Sequence, residues 1–160
     1  MKNLLEEGTL QMPKILSWMA VFLVMLLIFN LSSQVAEHSN ELSTGITELI
    51  IKAVEKVAPG AELDQKNINN RLRKNAHFFS YLLLGMFAYN ALRRSGLRGW
   101  RCFILALGVC VSYAITDEVH QLYVPGRGGQ VRDVLIDSAG ACVGIGLCRF
   151  WILGKICSKI

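Results

Sequence analysis

The chain has 160 residues, of which 52% are hydrophobic and 18% are charged, and its mean hydropathy is +0.38. Because an ordinary soluble domain carries roughly a quarter charged residues, this composition disfavours a soluble enzyme, a disulfide-stapled secreted domain and a disordered tail. The net charge of +5 is typical of a membrane protein with basic loops, and no basic and aromatic residues interleave as in a nucleic-acid binder. A single membrane domain over residues 1–160 is therefore predicted.

The first apolar segment covers residues 13–31, and Lys14 near its start is its one charged residue. A transmembrane helix needs about 20 consecutive apolar residues, so this segment predicts a membrane span. A cleaved signal peptide is disfavoured because its apolar region usually runs about 7–15 residues. Three further apolar segments also follow downstream.

The segment from 32 to 75 is polar and too long for a simple turn. Ser39 suits a helix N-cap, and Pro59 with Gly60 supplies a stop. The pattern predicts an amphipathic helix that lies on the bilayer or against the other helices, and a packed helix in a small extramembrane lobe is the alternative. One apolar stripe would be formed by Leu42, Ile46, Leu49, Ile50, Val54 and Val57.

Three more spans are predicted at residues 76–93, 102–120 and 133–153. Together with the first span they predict an all-α, polytopic membrane protein. Its four transmembrane helices are joined by short connections, apart from the first outer loop that carries the amphipathic helix.

The distribution of basic residues predicts the orientation. The short connection at 93–101 is rich in arginine and contains no acidic residue, which favours a cytoplasmic position for it and for both termini. Arg71, Arg73 and Lys74 violate this rule at the outer end of the second span. Charge at this depth is costly, so these residues are functional candidates.

Small residues and cysteines are interpreted as packing elements. Gly140 and Gly144 form a GxxxG pair that permits close approach of helices, within the chain by default or in a homo-oligomer. An odd number of cysteines without close CxxC spacing excludes a complete disulfide framework and disfavours a zinc-ribbon type of site. The cysteines are Cys102, Cys110, Cys142, Cys148 and Cys157.

Polar residues collect at the predicted outer ends of three spans. In the second span, Lys74, His77 and Tyr81 are spaced by three and four residues, which places them on one helical face. Such a cluster can hold a hard cation, act as a general acid–base pair, clamp an anionic headgroup, or merely neutralise charges at a helix end. The third and fourth spans contribute Asp117, Glu118, His120, Gln121, Asp133 and Asp137.

The order of these motifs resembles the VanZ-like family over nearly the whole chain. The resemblance implies a small multi-pass protein of the bacterial plasma membrane, associated with reduced susceptibility to teicoplanin-type lipoglycopeptides and without a settled reaction. Asp137 departs from the family pattern, in which asparagine is common at this position. If Asp137 is ionised, its negative charge would favour metal binding by the polar cluster. The matching motifs are Leu31–Gln34, Arg73–Phe78, Asp117–Gln121, Pro125–Arg127 and Arg132–Val134.

Two functions are predicted as alternatives. In the first, Lys74 and Arg127 bind the phosphate of a membrane lipid or a lipid-linked envelope precursor. In the second, a membrane-embedded hydrolase or transferase uses His77 for proton transfer. The acid and base of this enzyme, or its ligands for a divalent cation, are Asp117, Glu118 and Asp133. A divalent cation is the one candidate cofactor. Further ligand-binding residues implied by the resemblance are Gln34, Tyr81, Gln121 and Asp137.

Overall fold

A computed structural model of the protein describes residues 2–33, 65–125 and 128–157, together with the single positions 45 and 56. All regular structure in these residues is α-helical, and no strand occurs among them. The helices are α1 (Lys2–Ser33), α2 (Gln65–Arg94), α3 (Gly99–Gln121) and α4 (Val131–Cys157). Apart from positions 45 and 56, the predicted amphipathic helix lies outside the described residues, as do the predicted site residues Gln34 and Arg127.

Three segments of these helices have the length and apolar composition needed to cross a membrane: Lys14–Ser33, Gly99–Gln121 and Val131–Trp151. The described residues thus confirm the all-helical prediction, and three of the four predicted spans are long and apolar enough to cross a membrane. The segment predicted as the second span lies within α2 but does not reach the same apolar level. Its first three turns are polar, and His77, Tyr81 and other polar residues interrupt the apolar sequence that follows.

Helix α2 occupies the centre of the fold and contacts each of the other three helices, with its largest interface on α4. Glycines make this interface close. A Cβ atom at Gly140 would collide with the carbonyl oxygen of Phe78, and one at Gly144 would collide with that of Leu82. The GxxxG pair therefore packs within the chain, and it brings the polar face of α2 against the start of α4.

Helix α3 faces the interior with small side chains at every fourth position. Cys102, Ala106, Cys110 and Ala114 are all fully buried, and both thiols are free. This placement agrees with the interpretation of these cysteines as packing residues. The same face continues one turn further to Asp117 and places that carboxylate inside the fold.

Contacts with α1 fix both ends of the helix bundle. The Trp18 indole N–H donates a hydrogen bond of 3.1 Å to Ser95 Oγ, in the turn that follows α2. At the other end of the bundle, Ser32 Oγ donates to Asp117 Oδ2 over 2.8 Å. The end of α1, the early turns of α2, the end of α3 and the start of α4 consequently meet at one surface.

Candidate functional site

A polar cleft opens where these four helix ends meet. The free space inside it is about 10 Å³, which is about what the centre of one water molecule occupies. As it stands, the cleft accommodates a water molecule or an ion, whereas a larger ligand would contact its rim. This feature is called the polar cleft. It is lined by Arg73, Lys74, His77, Glu118, Gln121, Asp133, Ile136 and Asp137.

An ion pair closes one side of the rim. Lys74 Nζ donates to Asp133 Oδ1 at 2.6 Å, with 29% and 19% of the two side chains exposed. The neighbouring Arg73 is also half-buried, and among the described residues it pairs with no carboxylate. Among the described residues, the rim therefore carries one ion pair and one cation, Arg73, without a carboxylate partner.

Deeper in the cleft lies a second set of polar residues, here called the inner group: His77, Tyr81, Asp117 and Asp137. Asp137 is fully buried, and its Oδ2 lies 3.7 Å from His77 Nδ1, which is too long for a hydrogen bond. Within the described part of the chain, neither oxygen of Asp137 has a hydrogen-bond partner, and the fully buried Tyr81 hydroxyl has none either. Buried polar groups usually have partners, so the inner group is incomplete as it stands.

Asp117 is held in place through one of its two oxygens. Its Oδ2 accepts hydrogen bonds from Ser32 Oγ at 2.8 Å and from Gln121 Nε2 at 3.3 Å. Its Oδ1 is buried and lacks a partner among the described residues. Ser32 was not among the predicted site residues, although its position in the Leu31–Gln34 motif at the end of an apolar span was a signal that could have identified it.

Glu118 lines the cleft but is engaged by the backbone. Its Oε2 accepts a hydrogen bond of 2.8 Å from the Gln130 N–H, just before α4 begins. Gly129 allows this close passage, since a Cβ there would lie 2.8 Å from the Glu118 carbonyl oxygen. Glu118 therefore ties the end of α3 to the start of α4.

His120, which the sequence groups with the polar residues at this end of α3, lies towards α1 and does not line the cleft. Its Nε2 is 3.1 Å from Ser33 Oγ, and its ring centroid is 4.6 Å from that of Phe29. Three residues correspond to somewhat less than one full turn of an α-helix, which is enough to move His120 from the cleft to the neighbouring interface.

One group of side chains has the geometry of a metal site. His77, Asp117 and Asp137 each offer one ligand atom, and these atoms all lie within 4.8 Å of one another. The sequence instead suggested Asp117, Glu118 and Asp133. The difference arises because Glu118 is bonded to the Gln130 N–H and Asp133 to Lys74, which leaves the inner carboxylates to face His77.

A family model described as VanZ/LLP1 matches residues 17–153 of the chain. The chain belongs to the VanZ/LLP1 family. The resemblance predicted from the motifs is thereby confirmed over most of the chain. Comparison with curated proteins and with solved structures yields no match.

The VanZ/LLP1 match includes every residue of the polar cleft and the inner group. It also includes Gln34 and Arg127, whose positions lie outside the described residues. Of the predicted site residues, the structure brings eight together at the meeting point of the helices. They are Lys74, His77, Tyr81, Asp117, Glu118, Gln121, Asp133 and Asp137. Their roles in binding or catalysis stay predictions.

Proposed function

We propose that this VanZ/LLP1 protein crosses the bacterial plasma membrane four times. In addition to α1, α3 and α4, helix α2 also spans the membrane. Support comes from the two faces of α2. Phe79, Leu83 and Phe87 are exposed and spaced by four residues, so they form one apolar stripe that can face lipid. The polar side chains His77 and Tyr81 face the other helices instead, and this lowers the average apolarity of α2 without exposing polar groups to lipid.

Both termini are proposed to lie in the cytoplasm, so that the polar cleft opens at the outer surface. The argument is the positive-inside rule, applied to the end of the bundle opposite the cleft. There, the turn between α2 and α3 is flanked by Arg93, Arg94, Arg98 and Arg101. Labelling of single cysteines placed in this turn and beside the cleft, with a reagent that does not cross membranes, tests the orientation. Labelling of the turn in intact cells would contradict it.

The proposed activity is binding of an anionic headgroup, from an envelope lipid or a lipid-linked wall precursor, at the outer membrane–water interface. The observation that carries this proposal is the placement of two adjacent cations, Arg73 and Lys74, on the rim of the cleft, where Arg73 pairs with no carboxylate of the described residues. A guanidinium binds phosphate through two parallel hydrogen bonds. Lys74 adds a second cation when it leaves Asp133, while Gln34 and Arg127 are expected to contribute from outside the described residues. When the protein binds such a precursor, less of it is accessible to teicoplanin-type lipoglycopeptides, so susceptibility to these antibiotics would fall.

Native mass spectrometry of the purified protein with short-chain phosphatidylglycerol and undecaprenyl phosphate tests this activity directly. We expect Arg73→Gln to weaken binding at least tenfold, since a charge-assisted bidentate contact contributes about 1.5–3 kcal/mol. Arg98→Gln at the opposite end of the bundle is the matched control and should bind as the wild type does. Teicoplanin susceptibility of cells expressing the two variants should follow the same order. Equal binding by both variants would refute the proposal.

A second candidate function is a membrane-embedded hydrolase or transferase acting on an envelope lipid or polymer. It is favoured by the placement of His77 Nδ1 3.7 Å from the buried Asp137, because a histidine with a carboxylate this close can be oriented by it once substrate is bound, as general acid–base catalysis requires. Comparative mass spectrometry of envelope lipids and wall fragments distinguishes it from a binder. A product that appears with the wild type and His120→Gln, but not with His77→Gln or Asp133→Asn, would demonstrate catalysis. Unchanged profiles in all strains would exclude it.

A further inference from the structure

The inner group contains two buried carboxyl groups that form no ion pair with a lysine or an arginine of the described residues. Asp117 and Asp137 are 3% and 0% exposed, and a buried ionised carboxylate is costly unless it is paired. The one lysine of the cleft, Lys74, is bonded to Asp133. Arg73, the other cation of the cleft, forms no ion pair with either inner carboxylate. Among the described residues, the edge of His77 is therefore the one cationic partner beside them.

The unused bonding atoms of the inner group are a second and independent observation. One oxygen of Asp117 and both oxygens of Asp137 lack a hydrogen-bond partner in the described part of the chain, as does the Tyr81 hydroxyl. The Tyr81 side chain is fully buried and lies within electrostatic range of both carboxylates. Tyr81, Asp117 and Asp137, which come from three different helices, thus place buried polar atoms near one another without hydrogen-bond partners in the described part of the chain.

We propose that His77, Asp117 and Asp137 form a binding site for a single divalent transition-metal ion, with Zn²⁺ as the best fit. One ligand atom of each residue lies within 4.8 Å of the other two. Tetrahedral ligands about 2.1 Å from zinc lie about 3.4 Å from one another, so small side-chain adjustments complete the site. A divalent ion also neutralises the two inner carboxylates.

The type of ion follows from the ligands and from the available space. Calcium takes six to eight oxygen ligands and magnesium retains several waters, whereas the cleft has space for about one water molecule. One imidazole and two carboxylates suit a small ion of low coordination number. The fourth position is left to the Tyr81 hydroxyl or to a water molecule.

The surroundings of Asp117 are those expected of an oriented metal ligand. Ser32 Oγ and Gln121 Nε2 both donate to its Oδ2, which leaves Oδ1 directed to the ion. Such outer hydrogen bonds fix ligand orientation and typically change metal affinity about 10–100-fold when removed. Ser32 is accordingly a positioning residue for this site. The inference goes beyond headgroup binding and does not depend on it.

The test is metal binding by the full chain, purified in detergent, stripped with a chelator and passed through gel filtration after addition of Zn²⁺, Mn²⁺ or Ca²⁺. Elemental analysis should find about one Zn²⁺ per chain, and calorimetry should show Ca²⁺ binding at least 100-fold more weakly. His77→Gln and Asp137→Asn should weaken Zn²⁺ binding at least 100-fold, and Ser32→Ala about tenfold. His120→Gln is the matched histidine control. It should bind within twofold of the wild type.

Several outcomes would overturn the proposal. Wild-type protein that retains less than a fifth of an equivalent of Zn²⁺ has no such site, and equal binding by His77→Gln places the ion elsewhere. Zn²⁺ should also raise the unfolding temperature of the wild type but not that of His77→Gln, and a rise in both would contradict the assignment. If Asp137→Asn fails to fold, His77→Gln and Ser32→Ala carry the same test. Arg73→Gln should lose headgroup binding and keep Zn²⁺, which separates failure of the headgroup proposal from failure of this one.

Discussion

The contact between α2 and α4 leads to a quantitative prediction at Gly140. This residue lies one turn after Asp137, and a Cβ atom there would collide with the carbonyl oxygen of Phe78, next to His77. The colliding atom belongs to the backbone and cannot rotate away, so Gly140→Ala must separate the helices. Overpacking of this kind costs about 1–3 kcal/mol.

Gly146 on the same helix is the matched control. A Cβ at Gly146 would meet no atom within 4 Å, so Gly146→Ala should stabilise the helix by up to about 1 kcal/mol through its intrinsic propensity. Because Gly140→Ala gains the same propensity, the two variants should differ by the overpacking cost alone, about 1–3 kcal/mol in free energy of unfolding. For a chain of this size, each kcal/mol shifts the unfolding temperature by about 2–4 °C.

Thermal unfolding in detergent, followed by circular dichroism, measures this difference between the two glycine variants. The separation of the helices should also lengthen the distance between His77 and Asp137, so that Gly140→Ala loses Zn²⁺ affinity as well as stability. If Gly140→Ala unfolds at the same temperature as Gly146→Ala, the close approach of α2 and α4 is not a feature of the folded protein.

Three further predictions concern the bonds around the cleft. Ser32→Ala leaves a buried carboxylate with one donor fewer and should cost about 1–3 kcal/mol, measured by thermal unfolding; an unchanged unfolding temperature would contradict the Ser32–Asp117 bond. Lys74→Met strands the half-buried Asp133, so the double variant with Asp133→Asn should be more stable than Lys74→Met alone, whereas additive losses would show that the two residues do not interact. Glu118→Gln weakens a charge-assisted bond to the Gln130 N–H, and hydrogen exchange measured by mass spectrometry should become faster in the connection before α4 but not in the middle of α3.

Around Gly140 and Asp137, close contacts fix the positions of two helices, while the buried Asp137 oxygens have no hydrogen-bond partner among the described residues. The glycine contacts hold α2 and α4 at a short distance, while the ion pair between Lys74 and Asp133 joins the same helices at the rim. Between these two contacts lie His77 and Asp137, whose polar atoms approach without forming a hydrogen bond. A site held open in this way suits a ligand that completes its bonds.

The amino-acid sequence was sufficient to predict the helical membrane architecture and the family. Apolar segments of membrane-spanning length are local properties of the chain, and the structure places helices over all four predicted spans, three of which are apolar enough to cross a membrane. Helical spacing likewise predicted that Lys74, His77 and Tyr81 share one face, since that periodicity is a property of the α-helix itself.

Only the tertiary structure decided which polar groups bond to which. Adjacent residues Asp117 and Glu118 look equivalent in the sequence, yet one bonds to Ser32 in α1 and the other to the backbone before α4. The metal-like group contains Asp137 in place of Glu118 and Asp133 for the same reason. Each of these pairings depends on the distance and rotation between helices, which no local periodicity encodes. For α2 and α4, the glycine contacts set that distance.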